Sequence, residues 1–284
     1  MRIRFALMVL RALSALPLNV ARALAQPLAA LVWWLPWRKH QVMAQHLKQA
    51  FPTLTEGQRR QLQRRSVHEA ATLLMESGAV WHWPAERIAA QVDCEGWHHV
   101  QSAIDQGRGL LLLGAHLGNW EILSLYLLQR LPMVALYTAP KDPELTRALT
   151  TSRQRFGGQL VAAGAGATRA MLTALRAGGA VGIIADQQPK RGHGVMAPWF
   201  GRPAPTMTLA GRLARRTGCV VLIARCLRSR KPQAGWQITF RPPDHNLTVD
   251  DDAQAATALN QELEADIRLA PAQYLWHYKR YGHA

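Results

Sequence analysis

Cysteine is scarce in this chain. It has three, Cys94, Cys219 and Cys226, and no two are spaced as CxxC, which argues against a disulfide scaffold or a structural zinc site. The thiols fit a reducing compartment, and Cys219 and Cys226 bracket an apolar run where core packing is their expected role. Acidic side chains are also few: 18 Asp and Glu stand against 34 Lys and Arg, a formal charge of +16. Arginine heavily outnumbers lysine, and its planar fork of donors suits phosphate, so the balance points to anionic partners such as an acidic carrier protein, an anionic membrane surface or nucleic acid. Several common sites are missing outright. There is no GxSxG elbow, no GxxxxGK[ST] phosphate loop and no HExxH zinc helix, and Gly164-Ala-Gly166 lacks the third glycine of a dinucleotide fingerprint. Internal repeats and low-complexity linkers are absent, and no stretch reaches the ~18 uncharged apolar residues of a clear spanning helix.

Residues 5–37 are nevertheless the most hydrophobic part of the chain. Arg11 and Arg22 interrupt this segment, Pro17, Pro27 and Pro36 bend it, and Trp33, Trp34 and Trp37 cluster beside Arg38, Lys39 and His40. Aromatic residues against a basic flank make an interfacial belt. We therefore expect a helical membrane anchor over residues 1–40, either one imperfect span or helices lying in the interface. Arg11 argues against a cleaved leader ending at Ala23-Leu24-Ala25.

From residue 41 onward the pattern is that of one domain to residue 284. A short helix precedes Phe51-Pro52, and Thr55 with Gln58 forms a capping box for a long helix to about residue 79. A helix is expected over 96–106. Strands and helices then alternate: strands at 132–139, 158–163 and 180–186, helices at 143–155 and 168–177. A Pro-, Gly- and Arg-rich loop is expected over 187–205, then a helix over 206–217. Two apolar runs, 219–227 and 235–241, are placed to pair across a turn, and 251–269 reads as a helix. The fold class is α/β, with a largely parallel sheet flanked by helices.

The chemistry concentrates at Gly109-Leu-Leu-Leu-Leu-Gly-Ala-His116-Leu-Gly-Asn-Trp-Glu121. Four leucines without alternation predict a strand covered on both faces, and Gly114, Ala115 and Gly118 are small enough for another molecule to approach. A helix begins near Asn119, so His116 and Glu121 fall at a strand's carboxyl end, where open α/β sheets hold ligands. A carboxylate beside a histidine selects its tautomer and stabilises the imidazolium, which makes a general base. With no nucleophilic serine or cysteine evident nearby, a bound hydroxyl is the expected proton donor. Spacing alone is weak support, because His245-Asn-Leu-Thr-Val-Asp250 also matches histidine-x4-acid, though in a polar loop after Pro242-Pro243.

His116-Leu-Gly-Asn-Trp-Glu121 resembles the HxxNWE motif of the bacterial lipid A biosynthesis acyltransferases. The resemblance extends along the chain through Leu47-Lys-Gln-Ala-Phe-Pro52, Asp186-Gln187, Pro198-Trp-Phe-Gly-Arg-Pro-Ala-Pro-Thr206 and the ending Tyr274-Leu-Trp-His-Tyr-Lys-Arg280. His46 stands where family members usually carry asparagine. The resemblance implies an acyltransferase fold and a membrane-associated enzyme that moves a fatty acyl chain from acyl carrier protein, or coenzyme A, to a hydroxyl of a lipid A precursor. The site would face the cytoplasm at the bacterial inner membrane. His116 is then expected as general base with Glu121 orienting it, and Arg155 as the group stabilising the oxyanion. Asn119, Asp186, Gln187 and Arg202 are candidates for shaping the acceptor pocket, and Lys279 and Arg280 for contacting phosphate. A thioester donor already carries a good leaving group, so no metal or organic cofactor is expected, nor is nucleic acid as a partner. The alternatives are another glycolipid or phospholipid acceptor, a hydrolase that uses the same pair on water, and a non-catalytic basic protein.

Overall fold

A computed structural model describes residues 2–137, 142–154, 156–157, 159–162, 166–190, 192–229, 231 and 234–281. Three short helices open the chain, α1 (Arg2–Ala15), α2 (Leu18–Ala23) and α3 (Ala25–Trp34), separated where Pro17 and the Leu24 junction interrupt them. Among the described residues no helix is long and apolar enough to cross a membrane. The single-span form of the expected anchor is therefore not what the N-terminus builds. After α4 (Arg38–Ala50) comes α5 (Glu56–His82), opened by the expected capping box: Thr55 Oγ1 accepts from the Gln58 amide, and the Gln58 side chain accepts from the Thr55 amide. Pro84 ends it by holding Trp83 extended. The buried face of α5 is rich in small residues, and α1 crosses it at Gly78, where a Cβ would lie 2.7 Å from that of Leu13. The N-terminal helices are thus packed on the domain rather than tethered beside it.

The remainder follows the alternating pattern: α6 (Ala85–Ala89), β1 (Val92–Glu95), α7 (Trp97–Asp105), β2 (Leu110–Gly114), α8 (Trp120–Leu128), β3 (Met133–Tyr137), α9 (Pro143–Gln154), β4 (Gln159–Ala162), α10 (Ala167–Arg176), β5 (Ala180–Ile184), β6 (Gly194–Trp199), β7 (Arg202–Met207), α11 (Leu209–Thr217), β8 (Val220–Arg228), β9 (Trp236–Arg241) and α12 (Asp252–Leu269). The main sheet has the order β1-β9-β8-β2-β5-β3-β4. Every neighbouring pair is parallel except β8 and β9, which form the antiparallel hairpin expected from the two apolar runs. β2 is buried along its whole length. Leu111 and Leu113 enter one hydrophobic core and Leu110 and Leu112 the other, which is the two-faced burial that an unbroken leucine run demands.

The short α6 and the edge strand β1 were not expected from the sequence, and the largest departure lies further along. The proline-rich stretch read as a loop contains a two-stranded ribbon, β6 with β7. It turns at Phe200 and Gly201, both at positive φ, the conformation a two-residue hairpin turn requires. Pro198 stands opposite Pro203. Proline cannot donate to a ladder, so such a pair is tolerated only in an isolated ribbon or at an edge, and it hides the usual strand signal.

Candidate functional site

β2 and β5 are adjacent and parallel, with Gly114 opposite Ile184. That register carries the site. His116 lies two residues beyond Gly114 and Asp186 two residues beyond Ile184, so the chain delivers the two side chains together at the strand ends. The Ala185 amide donates to the Gly114 carbonyl at 2.8 Å and extends the pairing one step towards them.

The segment from His116 to α8 is pinned on both sides. Leu117 bridges Tyr274, the Gly118 amide donates to Gln273, and the Asn119 amide donates to the Cys226 carbonyl of β8 at 2.8 Å. Gly118 has φ +63°, and a Cβ there would sit 2.0 Å from the Cys226 carbonyl oxygen. Only glycine fits. A Cβ on Gly114 would likewise meet the Ala224 carbonyl at 2.6 Å. These glycines make room for β8, not for a second molecule as the sequence had implied. Asn119 is the N-cap of α8 and is fully buried: its Oδ1 accepts from the Ile122 amide, and its Nδ2 donates to Glu76 at 2.9 Å. The buried Glu76 carboxylate also accepts from Arg22 at 2.7 Å and from Arg228 at 3.2 Å. Nothing in the spacing of the chain announces this junction of α2, α5, α8 and β8.

His116 is held between two partners. Nδ1 lies 2.7 Å from Asp186 Oδ1, and Nε2 lies 3.2 Å from the side-chain nitrogen of Gln187. The Trp120 ring packs edge-on at 4.8 Å. The His116 side chain is 17% exposed and that of Asp186 2%. A carboxylate only accepts, so Nδ1 carries the proton and Nε2 of the neutral ring presents its lone pair. Burial pulls the His116 pKa down, but the charge and hydrogen bond of Asp186, with the charge of Glu121, outweigh it and hold the pKa above its ordinary value. Burial likewise works to raise the Asp186 pKa. Its interactions with His116 and a hydrogen bond from Tyr274 overcome that and keep the carboxyl below its usual value.

The sequence reading assigned the orienting bond to Glu121. In the structure Asp186 makes the bond on Nδ1, and Glu121, in the first turn of α8, acts on the ring through its charge. Only a sheet register could reveal the Asp186 pairing, because 70 residues separate the partners. Tyr274 was also missed as a site residue. It is buried against Asp186, and its hydroxyl is pushed well above the ordinary tyrosine range, first by burial and then by the Asp186 charge.

The other candidates are dispersed. Arg155 lies outside the described residues. Arg202 begins β7, with its guanidinium 3.4 Å from the Gln49 side-chain oxygen and 5.4 Å from the Tyr281 ring centroid. Lys279 is exposed, while Arg280 is 2% exposed. Arg280 bonds to the Pro205 carbonyl and to Thr206 Oγ1 at 2.9 Å, over the Trp199 ring. It fastens the C-terminal segment to the β6–β7 ribbon instead of offering its charge to phosphate. His46 belongs to the same fastening, with Nδ1 2.9 Å from the Trp276 carbonyl, a bond that an asparagine amide could also donate. The competing histidine, His245, pairs with Glu262 at 2.7 Å, and Glu262 also binds Arg241, so that histidine is part of a structural ion network.

The parallel α/β sheet thus holds a carboxylate-oriented imidazole at its strand ends, and among the described residues its ring nitrogens meet Asp186 and Gln187 and no serine or cysteine. The comparisons name the class. The family model for bacterial lipid A biosynthesis acyltransferases matches residues 2–282, and the chain belongs to that family. It is 28% identical over 269 residues to a lipid A biosynthesis lauroyltransferase of Escherichia coli, covering 94% of this chain and 86% of the relative. A palmitoleoyltransferase of lipid A biosynthesis from the same organism is 26% identical, over 86% of this chain and 79% of its own. A phosphatidylinositol mannoside acyltransferase of Mycolicibacterium smegmatis is 25% identical, over 67% of this chain and 62% of its own. The chain is an O-acyltransferase.

Proposed function

We propose that this enzyme transfers a fatty acyl group from acyl carrier protein, or coenzyme A, to a hydroxyl of a lipid A precursor at the cytoplasmic face of the bacterial inner membrane. The observation that carries the mechanism is the His116–Asp186 pair at the ends of β2 and β5. Nε2 of His116 takes the proton of the acceptor hydroxyl as its oxygen attacks the thioester carbonyl. Asp186 holds the tautomer and, with Glu121, stabilises the imidazolium, which then returns the proton to the departing thiolate. Arg155 is our proposal for the oxyanion, by the logic that a donor aimed at developing charge lowers the barrier most. Asn119 braces the loop through its cap and Glu76, and Gln187 lies on the base itself. The thioester supplies the activation, so the scheme needs no metal or organic cofactor.

The acceptor class rests on the family and on the names of the lipid A relatives. The mycobacterial relative supports a second reading, in which another phosphorylated glycolipid is acylated by the same chemistry. The charge of +16 suits either acceptor and an acidic carrier protein. The N-terminal helices support interfacial attachment: Phe5, Met8, Leu31 and Trp34 are all more than 60% exposed.

Mass spectrometry of membrane lipids from cells with and without the gene tests the function. We expect one acyl chain to be missing from lipid A in its absence, and an unchanged lipid A profile would refute the acceptor.

A further inference from the structure

We propose that Gln187 is a displaceable cap on the His116 base that steers this enzyme away from thioester hydrolysis. The inference rests on the reading of His116 as the base and adds a device that selects between its two possible substrates, a lipid hydroxyl and water.

Asp186 fixes the Nδ1 proton, so the lone pair that must accept the hydroxyl proton is on Nε2, and this is the atom that the Gln187 side-chain amide covers at 3.2 Å. The cap is built in, not incidental. Asp186, immediately before it, is held by His116 and Tyr274. Gln188, immediately after it, donates its backbone amide to the Tyr278 hydroxyl at 3.0 Å and its side-chain amide to the Lys279 carbonyl. The residues on either side of Gln187 are thus anchored, Asp186 through its carboxylate and Gln188 through its backbone amide and side chain, with the C-terminal segment as clamp.

An activated acyl donor at a base is exposed to water as well as to its acceptor. In the unwanted reaction, water loses a proton to Nε2 while its oxygen bonds to the thioester carbon, the carbon–sulfur bond breaks, and the thiolate takes the proton back, giving fatty acid and thiol. To begin this, water must displace Gln187 and offers one hydrogen bond in exchange. A lipid acceptor makes the same displacement, but with the binding energy of the rest of its molecule behind it. The covering bond therefore weighs on water more than on the acceptor. When the ring is protonated, the same amide can turn and present its oxygen to the Nε2 proton, so the cap returns after each cycle without leaving the site.

The test compares purified full-length parent, Gln187→Met, Gln187→Ala, His116→Ala and the Gln187→Met/His116→Ala double variant. Methionine keeps the length of glutamine and removes both polar atoms. Lauroyl-coenzyme A and lauroyl-acyl carrier protein serve as probes, with thiol release and free laurate measured without acceptor, and transfer measured with lipid A precursor. The net value of one neutral hydrogen bond predicts that both single Gln187 variants hydrolyse donor about fivefold faster than the parent. The ratio of hydrolysis to transfer rises in both single variants, and the added hydrolysis disappears in the double variant. Acceptor-free hydrolysis that is unchanged or slower in both Gln187 variants, or a gain that survives loss of His116, overturns the cap while leaving the transfer mechanism standing. Near-normal transfer by folded His116→Ala would instead overturn the base and the cap together.

Discussion

The His116 imidazole has its two nitrogens committed in different ways: Nδ1 to a buried carboxylate at 2.7 Å, Nε2 to a neutral amide that can move aside. A raised His116 pKa means that the neutral ring becomes the major form only above the ordinary histidine value of about 6.5. Transfer rate, kcat/KM, should therefore rise with pH through a midpoint above about 6.5. Asp186→Asn removes the charge that raises it and leaves burial, which lowers it. We expect its acid limb at lower pH and its kcat to fall about 10²- to 10⁴-fold, since an amide can hold the wrong tautomer. A pH–rate profile that does not move would show that Asp186 does not govern the base. The stability linkage has two signs. Asp186, with its pKa lowered, stabilises the fold above about pH 3.9 and loses that contribution as pH falls through its folded value, whereas His116, with its pKa raised, contributes fully below about pH 6.5 and loses it as pH rises. The Tm deficit of Asp186→Asn should accordingly be largest between about pH 4 and 6.5.

At the scale of elements, the loop that carries His116 depends on close backbone approach and on a buried ion cluster. Gly118→Ala combines a positive φ with a Cβ against the Cys226 carbonyl. Backbone strain of this kind costs about 1–3 kcal/mol, and the clash adds to it, so urea unfolding should register a loss of at least that size, with His116 displaced and transfer reduced. Glu76→Leu leaves Arg22 and Arg228 without the carboxylate that both bind. Removing one member of a buried charge set costs about 3–5 kcal/mol; a change in unfolding free energy below about 1 kcal/mol would mean that the cluster is well solvated. Elements with a strong local signal were legible in the sequence. The capping box at Thr55, the leucines of β2 and the Asn119 start of α8 are cases where propensity, pattern and burial agree. β1 has four residues at a sheet edge, and β6–β7 has prolines facing each other, so neither carries the alternation that identifies a strand.

For the whole molecule, the hydrophobic N-terminus forms three helices folded onto α5, with part of its apolar surface left facing outward. Trp34 is 80% exposed, and cations at Arg38 and Lys39 follow within five residues. Under the proposed interfacial attachment, this is the surface that would meet an anionic bilayer. The triple variant Phe5→Ser, Leu31→Ser, Trp34→Ser should bind phosphatidylglycerol vesicles at least about tenfold more weakly, because each exposed side chain contributes on the order of 1 kcal/mol or more when buried. Flotation that equals the parent's would place the attachment surface elsewhere.

What the sequence determined by itself is local: where helices start and stop, which strand is buried on both faces, and that His116 stands at a strand's end. Its ordered motifs also determined the family, because several short patterns in a fixed order specify more than any one of them. Tertiary structure alone decided which carboxylate serves the histidine. Glu121 is five residues away in the chain, yet the register of β2 on β5 brings Asp186 onto Nδ1, and the C-terminal segment brings Tyr274 onto Asp186. The physical reason is that parallel strands join through crossovers, so groups that share one end of the sheet are separated in sequence by the whole length of the connection.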